Sequence, residues 1–182
     1  MIFDLFDYIL GTLKMALYKC VYTSNLKITS VIGKYSRTAQ IRLFGNGKLE
    51  IGKDFSMRSG VKIRVNAGKI KIGNRVGFNN NSMINCMSKI SIGNNVIFGQ
   101  SVKIYDHDHD HKKEGIIRDN GYIISPIIIN DNVWIGSNCT ILKGTVIGKN
   151  TVIGANTVVF GNIPANSIIY SNRDMIVKKR RG

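Results

Sequence analysis

Proline is nearly missing from this 182-residue chain, with 2 against 19 glycines. That excludes proline-rich and collagen-like architectures and leaves a chain rich in turns. Cysteine is scarce too: Cys20, Cys86 and Cys139 are odd in number and form no CxxC pair. Neither a disulfide framework nor a cysteine zinc site is expected, and a reducing, cytoplasmic setting fits. Acidic residues number 11 against 26 Lys and Arg, for a net charge of +15, which attracts anions such as phosphates, acidic glycans or a lipid surface. The basic residues are scattered, and no helix-turn-helix, zinc-finger or aromatic RNA-binding signature accompanies them, so the charge does not point to nucleic acid. Long hydrophobic runs are also lacking. The first 22 residues are apolar, but Lys14 and Lys19 interrupt them too often for a bilayer span, and Asp4 and Asp7 stand where a signal peptide would be positive. What remains, 43% hydrophobic and 20% charged, suits one packed domain.

Residues 1–25 contain no proline and one glycine, and Ile2, Leu5, Phe6, Ile9, Leu13, Ala16, Leu17 and Cys20 recur at helical spacing. The segment reads as an amphipathic helix. Phe3, Leu10, Tyr18 and Tyr22 widen its apolar face, so residues 1–22 either dock on the main domain or a neighbouring subunit, or make peripheral contact with a membrane.

Beyond residue 40 a period of six appears: Ile129, Ile135, Ile141, Ile147, Ile153 and Val159 are six apart throughout. The third residue after each is Asn132, Asn138, Gly144, Asn150, Asn156 and Asn162, all of types that tolerate positive φ. A left-handed turn every six residues coils the chain. The interior position two before the aliphatic residue, Val133, Cys139, Thr145, Thr151 and Thr157, is small or β-branched, as a narrow core requires. Three such faces close a triangular coil, and stacked coils form a parallel β-solenoid. The signal recurs earlier at Ile51-Gly52, Ile72-Gly73, Ile92-Gly93 and Phe98-Gly99, with longer intervals that imply loops at the corners. Handedness does not follow from the period.

The hexads stop at Ile104 and resume near Ile127, leaving residues 105–126 as an extruded loop that holds all three histidines. The run Asp106-His107-Asp108-His109-Asp110-His111 admits three readings: a metal site, surface histidines without a role, and a general base. Three alternate positions span about 13 Å at strand rise, too far to converge on one ion without a sharp bend. A neutral imidazole is the side chain best suited to take a proton from a hydroxyl near pH 7, with Asp106 or Asp108 as its local orienting carboxylate.

These residues resemble the hexapeptide-repeat, left-handed β-helix acetyltransferases, in the branch of maltose, galactoside and surface-polysaccharide O-acetyltransferases. The resemblance covers roughly residues 50–170 and is strongest in Ile104 to His109, Pro126, Asp131-Asn132-Val133-Trp134-Ile135-Gly136, Val152-Ile153-Gly154-Ala155 and Ile163-Pro164-Ala165-Asn166. It implies an all-β fold, a left-handed parallel β-helix over residues 26–168 between the helix and a basic segment, 169–182. By the family's spacing the catalytic histidine is His109, and the substrate-binding asparagine is Asn81, next to Asn79 and Asn80. The resemblance further implies a homotrimer with acetyl-CoA lying along the coils between subunits and no metal. Backbone near Ser137 and Ala155 would hold the pantetheine, with Trp134 near the thiol or packed at a subunit interface. Where family members carry a Thr-Lys pair this chain has Phe160-Gly161, so Lys178 and Lys179 are the candidates for the nucleotide phosphates.

The expected activity is therefore acetyl transfer from acetyl-CoA to a sugar hydroxyl, of a surface polysaccharide or its precursor, with His109 as base. An amino sugar or antibiotic acceptor, a metal-dependent hydrolase and a non-catalytic trimeric scaffold are the alternatives.

Overall fold

A computed structural model describes residues 2–172; Lys178, Lys179 and the rest of the basic tail lie outside the described residues. The N-terminal helix runs Ile2–Val21 and docks on the first coil by close backbone approach. Gly11 lies so near the Tyr35 carbonyl that a Cβ would overlap it, and Met15 is buried beside it. Two of the charges that break the apolar run, Lys14 and Asp7, serve this docking. Lys14 Nζ donates to the carbonyls of Arg37 at 3.0 Å and Ala39 at 2.8 Å, and Asp7 pairs with Arg37 at 3.3 Å. The stripe of Leu5, Phe6, Ile9, Leu13, Leu17 and Val21 is left exposed, so the contact face is narrower than the apolar periodicity implies. No helix among the described residues is long and apolar enough to cross a membrane.

From Leu26 onward each turn of the chain gives one strand to each of three parallel sheets. The first sheet stacks Leu26–Ile28, Lys48–Ile51, Lys69–Ile72, Lys89–Ile92, Ile127–Ile129, Val146–Ile147 and Asn162–Ile163. The second stacks Lys34–Tyr35, Ser56–Met57, Gly77–Phe78, Ile97–Phe98, Trp134–Ile135, Val152–Ile153 and Ile168–Ile169. The third stacks Gln40–Phe44, Lys62–Asn66, Met83–Cys86, Lys103–Tyr105, Thr140–Ile141 and Val158–Val159. This is the three-sided β-helix that the hexads predict, with six full coils and the start of a seventh.

The core is the column of hexad side chains: Ile129, Ile135, Ile141, Ile147, Ile153 and Val159 are all buried, as are Val133, Cys139, Thr145, Thr151 and Thr157. The threonines are tolerated because their hydroxyls donate to nearby carbonyls, Thr145 to Leu142 at 2.6 Å and Thr151 to Pro164 at 3.1 Å. The N-terminal coils are filled by an aromatic column, Tyr35, Phe55, Phe78 and Phe98, with successive ring centroids 6.2, 6.0 and 4.1 Å apart. Burial pushes the Tyr35 hydroxyl up to about 12, so it stays protonated and donates to the Ser30 carbonyl at 3.3 Å.

Asn132, Asn138, Gly144, Asn150 and Asn156 have the positive φ expected of them, but Asn162 does not. Val159 and Ile163 are four residues apart, so the last left-handed turns move to Gly161 and Asn166 and leave Asn162 in a strand. The glycines that follow the hexad isoleucines answer a different demand. A Cβ on Gly136 would come 2.6 Å from the Ala155 nitrogen of the next coil, a contact no side-chain adjustment can relieve. Gly136→Ala is expected to destabilise the fold by about 1–3 kcal/mol, read as a lowered unfolding midpoint in urea.

The corners between third and first sheets are the ones that vary. Ile41 to Ile51, Ile63 to Ile72 and Ile84 to Ile92 are ten, nine and eight residues apart, against six from Ile141 to Ile147. The excursion of residues 105–126 leaves from this same edge. It is a hairpin in which His107–His109 pairs antiparallel with Tyr122–Ile124, closed through a short 3-10 turn at Ile117–Asp119.

Candidate functional site

Asp106 is the hinge of the hairpin and is fully buried. Its carboxylate accepts the backbone N–H groups of Met87 at 2.8 Å and Ser88 at 2.7 Å from the coil beneath, and the Cys86 thiol at 3.2 Å. His107 Nδ1 lies 3.0 Å from Oδ1, the oxygen that also accepts the Met87 N–H. Four partners satisfy a carboxylate that would otherwise be costly to bury. Burial first, and the Asp106 charge second, push the Cys86 thiol up, so it remains a protonated donor. Since a carboxylate accepts, Nδ1 is the nitrogen of His107 that donates in this contact.

Of the two candidate orienting aspartates, Asp106 reaches an imidazole; Asp108 instead pairs with Lys143 Nζ, which ties the hairpin to the next coil. His109 is exposed, its ring 4.7 Å from Tyr122 and inclined at 36°. His107 meets the same tyrosine edge-on at 5.4 Å. His111 is exposed and further out.

Beneath the hairpin lies a cavity of about 370 Å³, lined among others by Phe44, Arg64, Asn66, Asn85, His107 and Tyr122. Asn85 holds an Oδ1 with no accessible surface and no hydrogen-bond partner among the described residues. Such an acceptor is costly unless a ligand or water satisfies it. Sequence reasoning named His107 within the histidine run but preferred His109, and it singled out none of Arg64, Asn66 and Asn85. The one signal for Arg64, Asn66 and Asn85 was the lengthened interval at their corner.

The other expected site residues lie at the opposite edge of the third sheet. Asn81 occupies the corner between second and third sheets with φ 60° and is exposed. Ser137 and Ala155 follow on that edge in successive coils, joined by the Asn156 N–H donating to the Ser137 carbonyl at 2.9 Å. Trp134 stands on the second sheet between Ile97 and Val152, 56% exposed. Within one chain the structure brings His107, His109, Asp106 and Asp108 together. It keeps Asn81, Trp134, Ser137 and Ala155 apart from them.

Residues 126–161 match the family model described as bacterial transferase hexapeptide (six repeats). The chain is 34% identical over 137 residues to Rv3034c of Mycobacterium tuberculosis, named as a probable acetyltransferase; the match covers 74% of this chain and 45% of that protein, so the chain spans about half of that relative's length. It is 33% identical over 145 residues to WbbJ of Escherichia coli, a candidate lipopolysaccharide biosynthesis O-acetyl transferase, covering 74% of this chain and 73% of that one. Among solved structures, AntD, an N-acyltransferase from Bacillus cereus in complex with dTDP and 3-hydroxybutyryl-CoA, aligns with TM-score 0.67 at 18% identity, over 92% of this chain and 88% of that one. A maltose O-acetyltransferase from Clostridium difficile aligns with TM-score 0.50 at 22% identity, over 99% and 89%. These two likenesses speak to the fold alone. With the hexad match and a relative one-third identical across nearly three quarters of its own length, the chain belongs to the bacterial hexapeptide-repeat transferase family.

Proposed function

We propose that this protein is an acetyl-CoA-dependent O-acetyltransferase that acts on a sugar hydroxyl of a surface polysaccharide or its precursor, as a cytoplasmic homotrimer. The observation that carries the reading is the histidine hairpin, anchored by buried Asp106 and by the Asp108–Lys143 pair, over a cavity of a size suited to small ligands. The names of the Escherichia coli and Clostridium difficile proteins and the acyl-CoA bound by AntD support it.

In this mechanism His109 takes the proton from the acceptor hydroxyl as its oxygen attacks the thioester carbonyl. A tetrahedral intermediate forms, the carbon–sulfur bond breaks, and the proton passes to the departing thiolate of coenzyme A. Ser137 and Ala155 would hold the pantetheine, Lys178 and Lys179 the nucleotide phosphates, and Asn81 and Trp134 would line the acceptor and thiol end. Asn81, Ser137 and Ala155 sit at the far edge of the third sheet from the histidines of the same chain, so the reading needs the trimer: a neighbour's corner would complete the site against the hairpin. One observation favours a second reading of the base. His107, not His109, has the carboxylate-oriented ring, and could take the proton itself.

Thiol release from acetyl-CoA is expected with some members of a panel of monosaccharides, oligosaccharide units, amino sugars and antibiotic acceptors. Product analysis should find an ester rather than an amide. Release only with amines would move the assignment to N-acetylation, and no release together with no coenzyme A binding would leave a scaffold.

A further inference from the structure

We infer that the acceptor carries an anionic group, phosphate or carboxylate, and that Arg64, backed by Arg42 one coil further down, recognises it two coils below the histidine hairpin. The inference rests on the acetyl-transfer reading above and names the substrate class it leaves open.

Parallel register places Arg42 directly beside Arg64 on the outer face of the third sheet, and Arg64 beside Asn85. Like charges paired across strands are unfavourable by themselves. Neither guanidinium has an ion-pair or hydrogen-bond partner among the described residues, and no strand of the third sheet contains Asp or Glu. The first sheet handles the same problem differently: it also stacks lysines, but Glu50 lies between Lys27 and Lys71 in register and bridges Lys69 at 2.9 Å. The nearby carboxylates cannot serve the arginines, because Asp106 is enclosed by its four partners and Asp108 is paired with Lys143.

The arginines also face a shaped space. Arg64 and Asn85 line both the 370 Å³ cavity beneath the hairpin and an adjoining one of about 250 Å³, where Arg42 and Lys62 join them. The Arg64 guanidinium is held over the Phe44 ring at 4.9 Å, which restricts the fork before any ligand arrives. Asn85, in register beside Arg64, lines the same space together with His107. Successive coils are about 4.8 Å apart, so an anion on Arg64 and a hydroxyl at the hairpin fit within one charged sugar or two adjacent residues of a glycan.

The test uses the full-length protein with coenzyme A present and three probes: glucose 1-phosphate, glucuronate and glucose, each titrated by calorimetry and offered as acceptor in the thiol-release assay. One charged probe is expected to bind at least about tenfold more tightly than glucose, and which one identifies the phosphate or carboxylate. Arg64→Ala should weaken binding of that probe about 10- to 100-fold, with Arg64→Lys partly restoring it and Arg42→Ala giving a smaller loss. Lys34→Ala, on the exposed edge of the second sheet, should leave the preference intact. Equal affinity for all three probes, or an undiminished preference in folded Arg64→Ala, overturns the inference. Charged-sugar binding that depends on Arg64 without any acetyl transfer would support the anion site and sink the transfer reading. Transfer to glucose without preference for the charged probes would do the reverse.

Discussion

Alanine at position 109 is expected to lower turnover by about two to four orders of magnitude while leaving coenzyme A affinity essentially unchanged. A base that acts only as the proton leaves contributes to the transition state and little to ground-state binding, so the loss should fall on kcat. The side chain is exposed and its contact is with Tyr122, so the variant should fold normally, and circular dichroism should match wild type. His107→Ala is the informative partner. If His109 is the base, loss of His107 acts through the hairpin: it removes the ring that joins Asp106 to Tyr122 and should cost less than His109→Ala. A larger loss in His107→Ala, with His109→Ala near wild type, would transfer the base to the carboxylate-oriented ring. Full activity in both variants would sink histidine catalysis in this chain.

Phe78→Ala is expected to be the most damaging single truncation in the core, at about 3–5 kcal/mol. Its ring is 1% exposed, stacked on Phe98 at 4.1 Å and edge-on to Phe55 at 6.0 Å. The cavity left behind would lie inside a closed coil whose backbone is fixed by ladders on both sides, so collapse around it is limited. A solenoid couples each coil mainly to its neighbours, and the damage should be local before it is global. Hydrogen exchange is expected to quicken first in strands Ser56–Met57 and Ile97–Phe98, which pair with the Phe78 strand. Urea unfolding would show the total loss; a cost under about 1 kcal/mol would mean that the aromatic column is not what holds the N-terminal coils together.

The coil itself was legible in the sequence because its determinants are local. A hexad needs an aliphatic residue facing inward and, three positions later, a residue that accepts positive φ, and both can be read within six residues. Ile129 to Ile153 and Asn132 to Asn156 are where that reading places them. It slipped at Asn162 because the last corner between third and first sheets is two residues short, a change of length rather than of residue type. The excursion was visible as a gap in the same pattern, and its histidines as the three in the chain.

The surroundings of those histidines were not legible, because they depend on stacking between coils whose lengths differ. Arg64, Asn85 and His107 are twenty-one and twenty-two residues apart in the chain and line one cavity only because their coils lie in register. Each inserted residue at the corner between third and first sheets changes what sits above what. The choice of Asp106 over Asp108 as the partner of an imidazole was decided in the same way. The Asp106 carboxylate falls over the Met87 and Ser88 N–H groups of the coil beneath, while Asp108 meets Lys143 of the coil after the hairpin. The amino-acid sequence by itself determined that the chain coils, where the coil is interrupted and which histidines and aspartates the interruption carries, since each follows from residue type and short-range spacing. Only the tertiary structure decided which of those groups meet and what lines the space beside them, because the register between coils is a long-range property set by packing.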